Sequence, residues 1–381
     1  MDIVTVVVIS GATIDLEAYR RNLSVIVARV APAELMAMVK ANAYGHGLIP
    51  VARAAVDCGI RFIGVLDAES GLTLRRDGIG SEVRLFAWLF GPQEDYRRLV
   101  DADIDLGISH LHQLERIARS GSERVARLHL KIDTGLHRNG ASVEEWPPFV
   151  ARARELEIAG VVEIVAAWTH IAEASEVEDT RAIERFDRAV AAAESLGARF
   201  SLKHLAASAA GFSRPDARFD VVRIGAFSYG IAPGDGIGPA ELGLEPVMSL
   251  SARVSAIDVV GGRTLARLAL GYTDGLPSLV AGRCSVTVFG CRFPIVAVRA
   301  GYSLVDVTGA EVTTGVTVEL FGSGQEGGST LQEWADALGT IGEELVAHLS
   351  ARLPRHYLNE CVSVGGPDDK AGGPDDKTPG R

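Results

Sequence analysis

The feature that most limits the possible folds is an alternation along the first two-thirds of the chain, where short apolar runs are separated by longer amphipathic stretches. Runs of strand length occur at residues 35–40, 61–66, 83–89, 104–109, 126–132, 161–170, 200–206 and 219–226. Eight strands, each followed by a helix within about 230 residues, predict a (β/α)₈ barrel of the TIM type, which is an α/β fold. A doubly wound open sheet is the alternative, but its usual glycine-rich first βα turn does not follow any of these strands.

The character of the sequence changes after residue 240. Short β-rich runs separated by glycine and proline turns predict a C-terminal β domain over residues 241–361, after a barrel over residues 1–240. The apolar start, residues 1–10, indicates a strand that belongs either to the barrel or to the β domain. Residues 362–381 contain two copies of the word GGPDDK (365–370 and 372–377) and cannot bury a core, so we expect a disordered tail.

Charge and cysteine content exclude several classes of function. Lysine plus arginine number 38 against 49 acidic residues, a formal net charge of −11, which disfavours binding along a nucleic-acid backbone. The four cysteines show neither a CxxC pair nor the spacing of a metal site, so we expect no metal and a reducing, cytoplasmic location. Without a basic n-region or eighteen consecutive apolar residues, neither a signal peptide nor a membrane span is expected.

Lysine is rare in this chain, and one of its five lysines stands at the end of a predicted barrel strand. Lys40 closes the apolar run MAMV and precedes a loop at the carboxyl end of that strand, where active sites of such barrels lie. An amine that is desolvated there has a lowered pKa and can act as a nucleophile or base. The alternative is a structural lysine whose amine extends from the strand end to water.

The word that contains this lysine, VKANAYGHG (39–47), strongly resembles the cofactor-lysine motif of the alanine racemase family, whose members are pyridoxal 5′-phosphate (PLP) enzymes of fold type III. The resemblance continues to about residue 360. It implies that Lys40 forms the Schiff base with PLP and is one of two racemisation bases. It also implies that Tyr44 contacts the cofactor phosphate.

Two further words resemble segments of the same family. HLKIDTGLHRNG (129–140) is similar to its LKxDTGMxRxG segment, which implies that Arg138 binds the substrate carboxylate and that Lys131, often carbamylated in the family, orients this arginine. The alternative for Arg138 is a loop arginine paired with Asp133. WTHIAEASE (168–176) resembles the family's THFA segment, which implies that His170 packs against the pyridine ring; otherwise it is an ordinary core or loop histidine.

The remaining matches concern the two ends of the cofactor. HLAASAAG (204–211) and FDVVRIGAFSYG (219–230) resemble family words in which the serine and two backbone amides bind the phosphate and the arginine faces the pyridine nitrogen. The residues so implied are Ser208, Gly225, Ala226 and Arg223. RLPRHY (352–357) resembles RVPRxY and implies that Tyr357 completes the phosphate site.

The second domain departs from the family pattern. The word that carries the family's second catalytic base, a tyrosine, is absent, and the segment that should contain it is about a dozen residues shorter, which predicts a wider pocket for larger substrates. The family's CMDQ word is replaced by residues 299–302, so the backbone amide that receives the substrate carboxylate falls on Ala300. Tyr272 and Tyr302 are candidates for a substitute acid or base, although each is also consistent with a gate or packing role.

The resemblance implies a PLP-dependent isomerase, an amino-acid racemase or epimerase, that works through Lys40 as a head-to-tail homodimer with shared active sites. The missing tyrosine leaves two alternatives open. One is a repurposed PLP lyase, of decarboxylase or retro-aldol type, or an enzyme that exchanges the Cα proton on one face. The other is a PLP-binding protein without catalytic activity.

Overall fold

A computed structural model describes residues 10–234 and 236–360. Within these ranges the chain forms two eight-stranded sheets, eleven α-helices and six short 3₁₀ helices. The expectations for the first nine residues and for the tail lie outside the described residues. No helix in the described part of the chain is long and apolar enough to cross a membrane.

The first sheet is the predicted barrel. All of its pairs are parallel, in the order β8-β7-β6-β5-β4-β3-β2-β9. Its strands are β2 (Glu34–Met38), β3 (Phe62–Asp67), β4 (Arg84–Leu89), β5 (Ile104–Ile108), β6 (Ala126–Lys131), β7 (Val162–Trp168), β8 (Leu202–His204) and β9 (Val221–Ile224). Hydrogen bonds from Asp220 N to Lys203 O (3.1 Å) and from Arg223 N to Ala206 O (3.1 Å) join the two edges. The barrel is therefore nearly closed, and the open-sheet alternative is wrong.

Most helices follow barrel strands and cover the outside of the sheet. They are α1 (Leu16–Val30), α2 (Lys40–Tyr44), α3 (Leu48–Asp57), α4 (Ala68–Arg76), α5 (Tyr96–Asp101), α6 (Leu111–Ala118), α7 (Trp146–Ile158), α8 (Glu176–Ser195), α9 (Ser208–Ser213), α10 (Leu331–Leu338) and α11 (Gly342–Ala347). Several begin at a side-chain cap, as sequence rules expect. Asp15, Asp67 and Ser175 accept hydrogen bonds from backbone N–H groups at the starts of α1, α4 and α8.

The second sheet forms the C-terminal β domain, in the order β11-β14-β13-β12-β15-β10-β1-β16. Its strands are β1 (Ser10–Asp15), β10 (Met248–Val260), β11 (Arg263–Leu268), β12 (Ser285–Val288), β13 (Cys291–Val298), β14 (Ser303–Asp306), β15 (Thr317–Phe321) and β16 (Arg355–Leu358). Strand β1 pairs antiparallel with β10 and parallel with β16. The sheet thus takes strands from both sides of the barrel sequence.

The barrel interior is mainly aliphatic and aromatic, but it also contains polar side chains that are almost fully buried. Asp105, His129, Lys131, His204 and Arg223 all lie on or directly beside barrel strands and are at most 5% exposed. Buried ionisable groups destabilise a fold unless they are hydrogen-bonded or paired. These five therefore indicate a polar arrangement inside the barrel that serves the site above it.

Candidate active site

A cavity of about 610 Å³ lies at the carboxyl ends of the barrel strands. Its size is within the usual range for small-molecule sites. Most of the residues selected from sequence line it, namely Lys40, Tyr44, Lys131, Arg138, His170, Ser208, Arg223, Gly225 and Ala226. The fold therefore brings residues from five separate sequence words into one place.

Lys40 lies directly after β2, at the start of a left-handed turn. Ala41, Asn42 and Ala43 have φ between 51° and 54° and ψ between 48° and 51°, and Tyr44 also has a positive φ. This conformation costs non-glycine residues roughly 1–2 kcal/mol each and is typical of functional sites that the surrounding fold holds in place. Burial lowers the pKa of Lys40, as does the positive charge of Arg138. A neutral amine is therefore easier to populate here than in water.

Tyr44, Ser208 and Gly225 form a small cup on one side of the cavity. A Cβ atom at Gly225 would lie 2.0 Å from the Tyr44 hydroxyl oxygen, so this position has room only for glycine. The Gly225 N–H donates to Ser208 Oγ over 3.2 Å, which leaves the serine proton free to donate elsewhere. Hydroxyl donors grouped beside backbone amides are suited to bind a phosphate.

Arg223 is held by four hydrogen bonds inside the barrel. It donates to Nδ1 of His204 (2.9 Å), to Nδ1 of His170 (3.1 Å) and to the carbonyl oxygens of Thr169 and Leu205 (2.9 Å each). A guanidinium has only donors, so both histidine nitrogens must accept and both rings carry their proton on Nε2. Burial, followed by the charge of Arg223, lowers the pKa of His170 to about 2, so this ring is neutral.

The hydrogen bonds continue from His204 to a buried carboxylate. His204 Nε2 donates to His129 Nδ1 (2.8 Å), and His129 Nε2 donates to Asp105 Oδ2 (3.1 Å). Burial alone would raise the pKa of Asp105, but the hydrogen bond from His129 and the charges of Arg84 and Arg127 lower it to about 2. An ionised aspartate therefore ends a chain of donors that begins at Arg223 and fixes the orientation of each ring.

Arg138 and Lys131 lie on another side of the cavity. The Asp133 carboxylate accepts from the backbone of Gly135 (3.0 Å) and from the backbone (3.1 Å) and ring (3.0 Å) of His137. Arg138, which is exposed in the cavity, makes no ion pair with it in the described chain. Lys131 contacts the Asn139 side-chain oxygen and lies 4.4 Å from the centre of the Trp168 ring. Burial and the nearby positive charges lower its pKa to about 7.

Comparison with protein families identifies this arrangement. Residues 14–233 match the model of the alanine racemase N-terminal domain, and residues 247–357 match that of the alanine racemase C-terminal domain. The chain belongs to the alanine racemase family. Members of this family are PLP-dependent isomerases.

Relatives in the family cover nearly the whole chain. The alanine racemase of Frankia casuarinae is 38% identical over 371 residues, which span 92% of this chain and 96% of the relative. The alanine racemase of Salinispora tropica is 39% identical, over 91% and 98% of the two chains. The crystal structure of the alanine racemase from Streptomyces coelicolor A3(2) superposes with a TM-score of 0.89 at 35% identity, over 92% of this chain and 98% of that chain.

Four residues selected by family resemblance do not line the cavity. Tyr272, Ala300 and Tyr302 lie together in the C-terminal domain, where Tyr272 N donates to Arg299 O over 2.9 Å. Tyr357 lies on β16, and its hydroxyl fills the space beside Gly47, where a Cβ atom would be only 2.0 Å away. In this single chain these residues contribute nothing to the wall of the site.

The structure explains why the family's tyrosine word has no equivalent here. Strands β10 and β11 pair up to Val260 and Arg263, and only Gly261 and Gly262 connect them. Both glycines have positive φ, 58° and 77°, as a tight two-residue hairpin requires. No loop projects from this hairpin, so the segment cannot carry a tyrosine into an active site.

Two acidic residues also line the cavity, Glu173 and Glu343, and neither was predicted from the sequence. Glu173 belongs to the word that contains His170, so its position near the cofactor residues was available from the sequence. Glu343 lies on α11 at the other end of the chain, and no motif singled it out. Asp105 and His129 were also missed, although each is a polar interruption of an apolar strand.

Proposed function

We propose that this protein is a PLP-dependent enzyme that inverts the Cα centre of a small amino acid. The observation that carries this proposal is that one cavity holds a lysine with a lowered pKa, a cup of hydroxyl and backbone amide groups, and an arginine, Arg138, that forms no ion pair among the described residues. These groups suit, respectively, a cofactor carbonyl, a cofactor phosphate and a substrate carboxylate. Family membership supports the same assignment.

The residues present fit PLP. The hydroxyl groups of Tyr44 and Ser208 and the backbone at Ala226 would bind the phosphate. Gly225, which has no side chain, would leave the space that the phosphate needs. His170 would lie against the ring and Arg223 at its nitrogen. When bound, PLP supplies an electron sink that weakens the bonds at Cα. Arg223 keeps its positive charge and cannot take up another proton, so it holds the ring nitrogen unprotonated.

Within that site, different residues of the chain would bind the substrate and move its proton. Lys40, as the neutral amine that its burial favours, would take the proton from one face of Cα. Arg138 would pair with the substrate carboxylate, and Lys131 and Asn139 would hold the surrounding segment. A fixed carboxylate orients the Cα–H bond and disfavours loss of carbon dioxide.

We also infer that the active enzyme is a homodimer. Two large side chains of the C-terminal domain are exposed, Tyr272 (54%) and Phe289 (74%). Two that line the cavity are exposed as well, Ile341 (55%) and Leu89 (53%). Large apolar side chains at a site and on a nearby domain favour a covered interface. In a dimer the partner's C-terminal domain would bring Tyr272, Ala300 or Tyr302 to the site. Light scattering coupled to size-exclusion chromatography should give twice the chain mass.

The decisive experiment is incubation of the PLP-loaded protein with L- and D-amino acids in D₂O, read by chiral chromatography with mass detection. A deuterated antipode from either enantiomer is the expected result. Deuterium uptake with retained configuration, or a product that has lost carbon dioxide or a side-chain aldehyde, would replace racemisation with one of the alternative reactions. The absence of any change across the panel would contradict an amino-acid racemase.

A further inference from the structure

Four polar side chains inside the barrel form one continuous chain of hydrogen bonds, and this chain has a direction. Arg223 donates to His204 Nδ1 over 2.9 Å. His204 Nε2 lies 2.8 Å from His129 Nδ1, and His129 Nε2 lies 3.1 Å from Asp105 Oδ2. A neutral imidazole carries one proton, which either ring nitrogen can hold. Two linked imidazoles can therefore donate in either direction unless the groups at the two ends decide it.

Both ends of this chain require the same direction. A guanidinium has only donors, so Arg223 makes His204 accept at Nδ1. At the far end Asp105 is held as a carboxylate by ion pairs with Arg84 and Arg127, and a carboxylate only accepts. Both rings are fully buried, and burial lowers the pKa of each, so both are neutral. Only one arrangement satisfies every link, with the proton of each ring on Nε2.

Removal of the carboxylate would leave donors at both ends. The Nε2–H of His129, which has no access to solvent, would then lack an acceptor, and Arg84 Nε, which lies 2.9 Å from the same carboxylate oxygen, would be released beside it. A move of the His129 proton to Nδ1 relieves this end of the chain. His204 must then accept at Nε2 and carry its own proton on Nδ1, where it faces an N–H of Arg223. The disturbance thus passes from one end of the chain to the other.

His204 holds one side of the Arg223 guanidinium by itself. Among the described residues, Nη1 of Arg223 donates only to His204. The other amino group, Nη2, donates to the carbonyl oxygens of Thr169 and Leu205 and to the ring of His170. A link lost at Nη1 therefore lets the guanidinium turn about the contacts of Nη2. Its orientation towards the cavity depends on the proton position in His204.

We propose that Asp105 is a remote positioning residue, which fixes the proton positions of the two histidines and thereby holds the charge of Arg223 at the ring nitrogen of the cofactor. This inference rests on the proposed function, which places Arg223 at that nitrogen. Asp105 does not line the cavity, so it acts only through the rings on β6 and β8. A positive charge held beside the nitrogen opposes its protonation. When that charge is displaced, the nitrogen takes up a proton from water more readily.

The first test measures the histidine protons in the cofactor-free protein labelled with ¹⁵N-histidine. Nitrogen NMR distinguishes a ring nitrogen that carries a proton from one that does not. In the unaltered protein, His129 and His204 should both carry the proton on Nε2. In Asp105→Leu, which has a similar shape but no acceptor, at least one of these protons should move to Nδ1. Asp105→Asn, which offers one carbonyl oxygen, should restore both protons to Nε2.

Two further variants separate the chain from the stability of the fold. His129→Phe breaks the chain but leaves the carboxylate and its ion pairs in place, so His204 should still lose its fixed proton position. This variant also carries the test if Asp105→Leu does not fold. Arg127→Gln removes an ion pair from Oδ1 of Asp105 and leaves the Oδ2 that accepts from His129. It is the matched control, and its histidine protons should stay on Nε2.

The second test uses the protein loaded with ¹⁵N-labelled PLP. In Asp105→Leu the signal of the ring nitrogen should move towards that of a protonated pyridine, and the kcat of racemisation should fall about 10-fold or more, because the charge at the ring is misplaced. KM should stay within about 3-fold, since Arg138, which would bind the substrate carboxylate, lies outside the chain. Arg127→Gln should keep the nitrogen signal and should change kcat by less than about 2-fold.

Several outcomes would contradict the role of Asp105. Unchanged histidine protons in both Asp105→Leu and His129→Phe would overturn it, as would a ring nitrogen signal that stays constant when those protons move. An equal fall of kcat in Arg127→Gln would also overturn it, because the effect would then follow stability alone. If the unaltered protein forms no antipode, the proposed function fails, while the histidine protons and the ring nitrogen still decide what Asp105 does.

Discussion

The barrel and the C-terminal domain contribute to the cavity in opposite ways. The barrel supplies all of the cup, both lysines and both arginines, and Arg223 alone is fixed by four hydrogen bonds. Among the described residues, the C-terminal domain adds only Ile341 and Glu343 to the cavity wall. The wall of the cavity is thus built mainly from buried, hydrogen-bonded residues of the barrel, and the C-terminal domain contributes only a small part of it.

The same difference separates the parts of the family pattern that this chain retains, which lie in the barrel, from the tyrosine word that it lacks, which belongs to the C-terminal domain. The barrel site is fixed by strand ends and buried hydrogen bonds, and most substitutions there would disturb the fold. The C-terminal domain approaches the cavity through short turns and one short helix. The β10–β11 hairpin, for example, lacks the tyrosine segment and is connected by two glycines, whereas the strands of the barrel are complete.

The largest expected effect concerns the barrel side. Lys40→Ala should abolish both the absorbance of the lysine-bound cofactor and all activity on amino acids, because no other amine lies at that point of the cavity. Spectroscopy and the D₂O assay measure the two losses. Lys203→Ala, a lysine outside the cavity, serves as the control and should leave both intact. Survival of the absorbance or of the activity in Lys40→Ala would refute the placement of the site.

The anchoring of the barrel groups can be tested through stability. Asp105→Asn should lower the free energy of unfolding by about 2 to 4 kcal/mol near neutral pH, since the buried charge paired with Arg84 and Arg127 is lost. Denaturant unfolding measures this change. Asp101→Asn, in an exposed pair with Arg97, should alter it by less than about 0.5 kcal/mol.

The same substitution has a defined pH dependence. The folded pKa of Asp105, about 2, lies below the ordinary value of about 3.9. Its stabilisation is therefore complete above the ordinary value and is lost as the pH falls through the folded value. The difference between the unaltered protein and Asp105→Asn should shrink between about pH 4 and pH 2. A difference that is constant over this range would contradict an ionised Asp105.

A smaller effect is expected within the cup. Ser208→Ala removes one donor while Tyr44 and the backbone at Gly225 remain, so the affinity for PLP should fall about 10-fold. Titration of the cofactor-free protein by absorbance gives the affinity. Ser213→Ala, exposed at the end of the same helix, should match the unaltered protein. Equal affinities for the two variants would remove Ser208 from the phosphate site.

The smallest effects are expected at the C-terminal tyrosines. Neither tyrosine lines the cavity of the chain, so Tyr272→Phe and Tyr302→Phe should each change the racemisation rate by less than about 3-fold if their hydroxyls are packing or gate groups. Chiral chromatography measures these rates. A drop of about 100-fold in either variant, with unchanged PLP affinity, would assign the second base to that tyrosine of a partner subunit instead.

The sequence by itself predicted the barrel, the β-rich second domain and the family, and it singled out Lys40 as the lysine proposed to bind the cofactor. Strand and helix periodicity involves residues that are close together in the chain. A short word such as VKANAYGHG (39–47) is likewise local, so both signals can be recognised without knowledge of the tertiary structure. For the same reason the cup residues Tyr44, Ser208 and Gly225 could be selected before their arrangement was known.

Only the tertiary structure decided which distant side chains meet. The path from Arg223 through His204 and His129 to Asp105 joins four strands of the barrel, and the link between His204 and His129 spans β7, so it depends on how the whole barrel closes. The presence of Glu343 in the same cavity as Lys40 depends on how a short helix of the second domain packs on the turn after β2. Such contacts have no local signature, since burial and charge at each position come from residues far away along the chain.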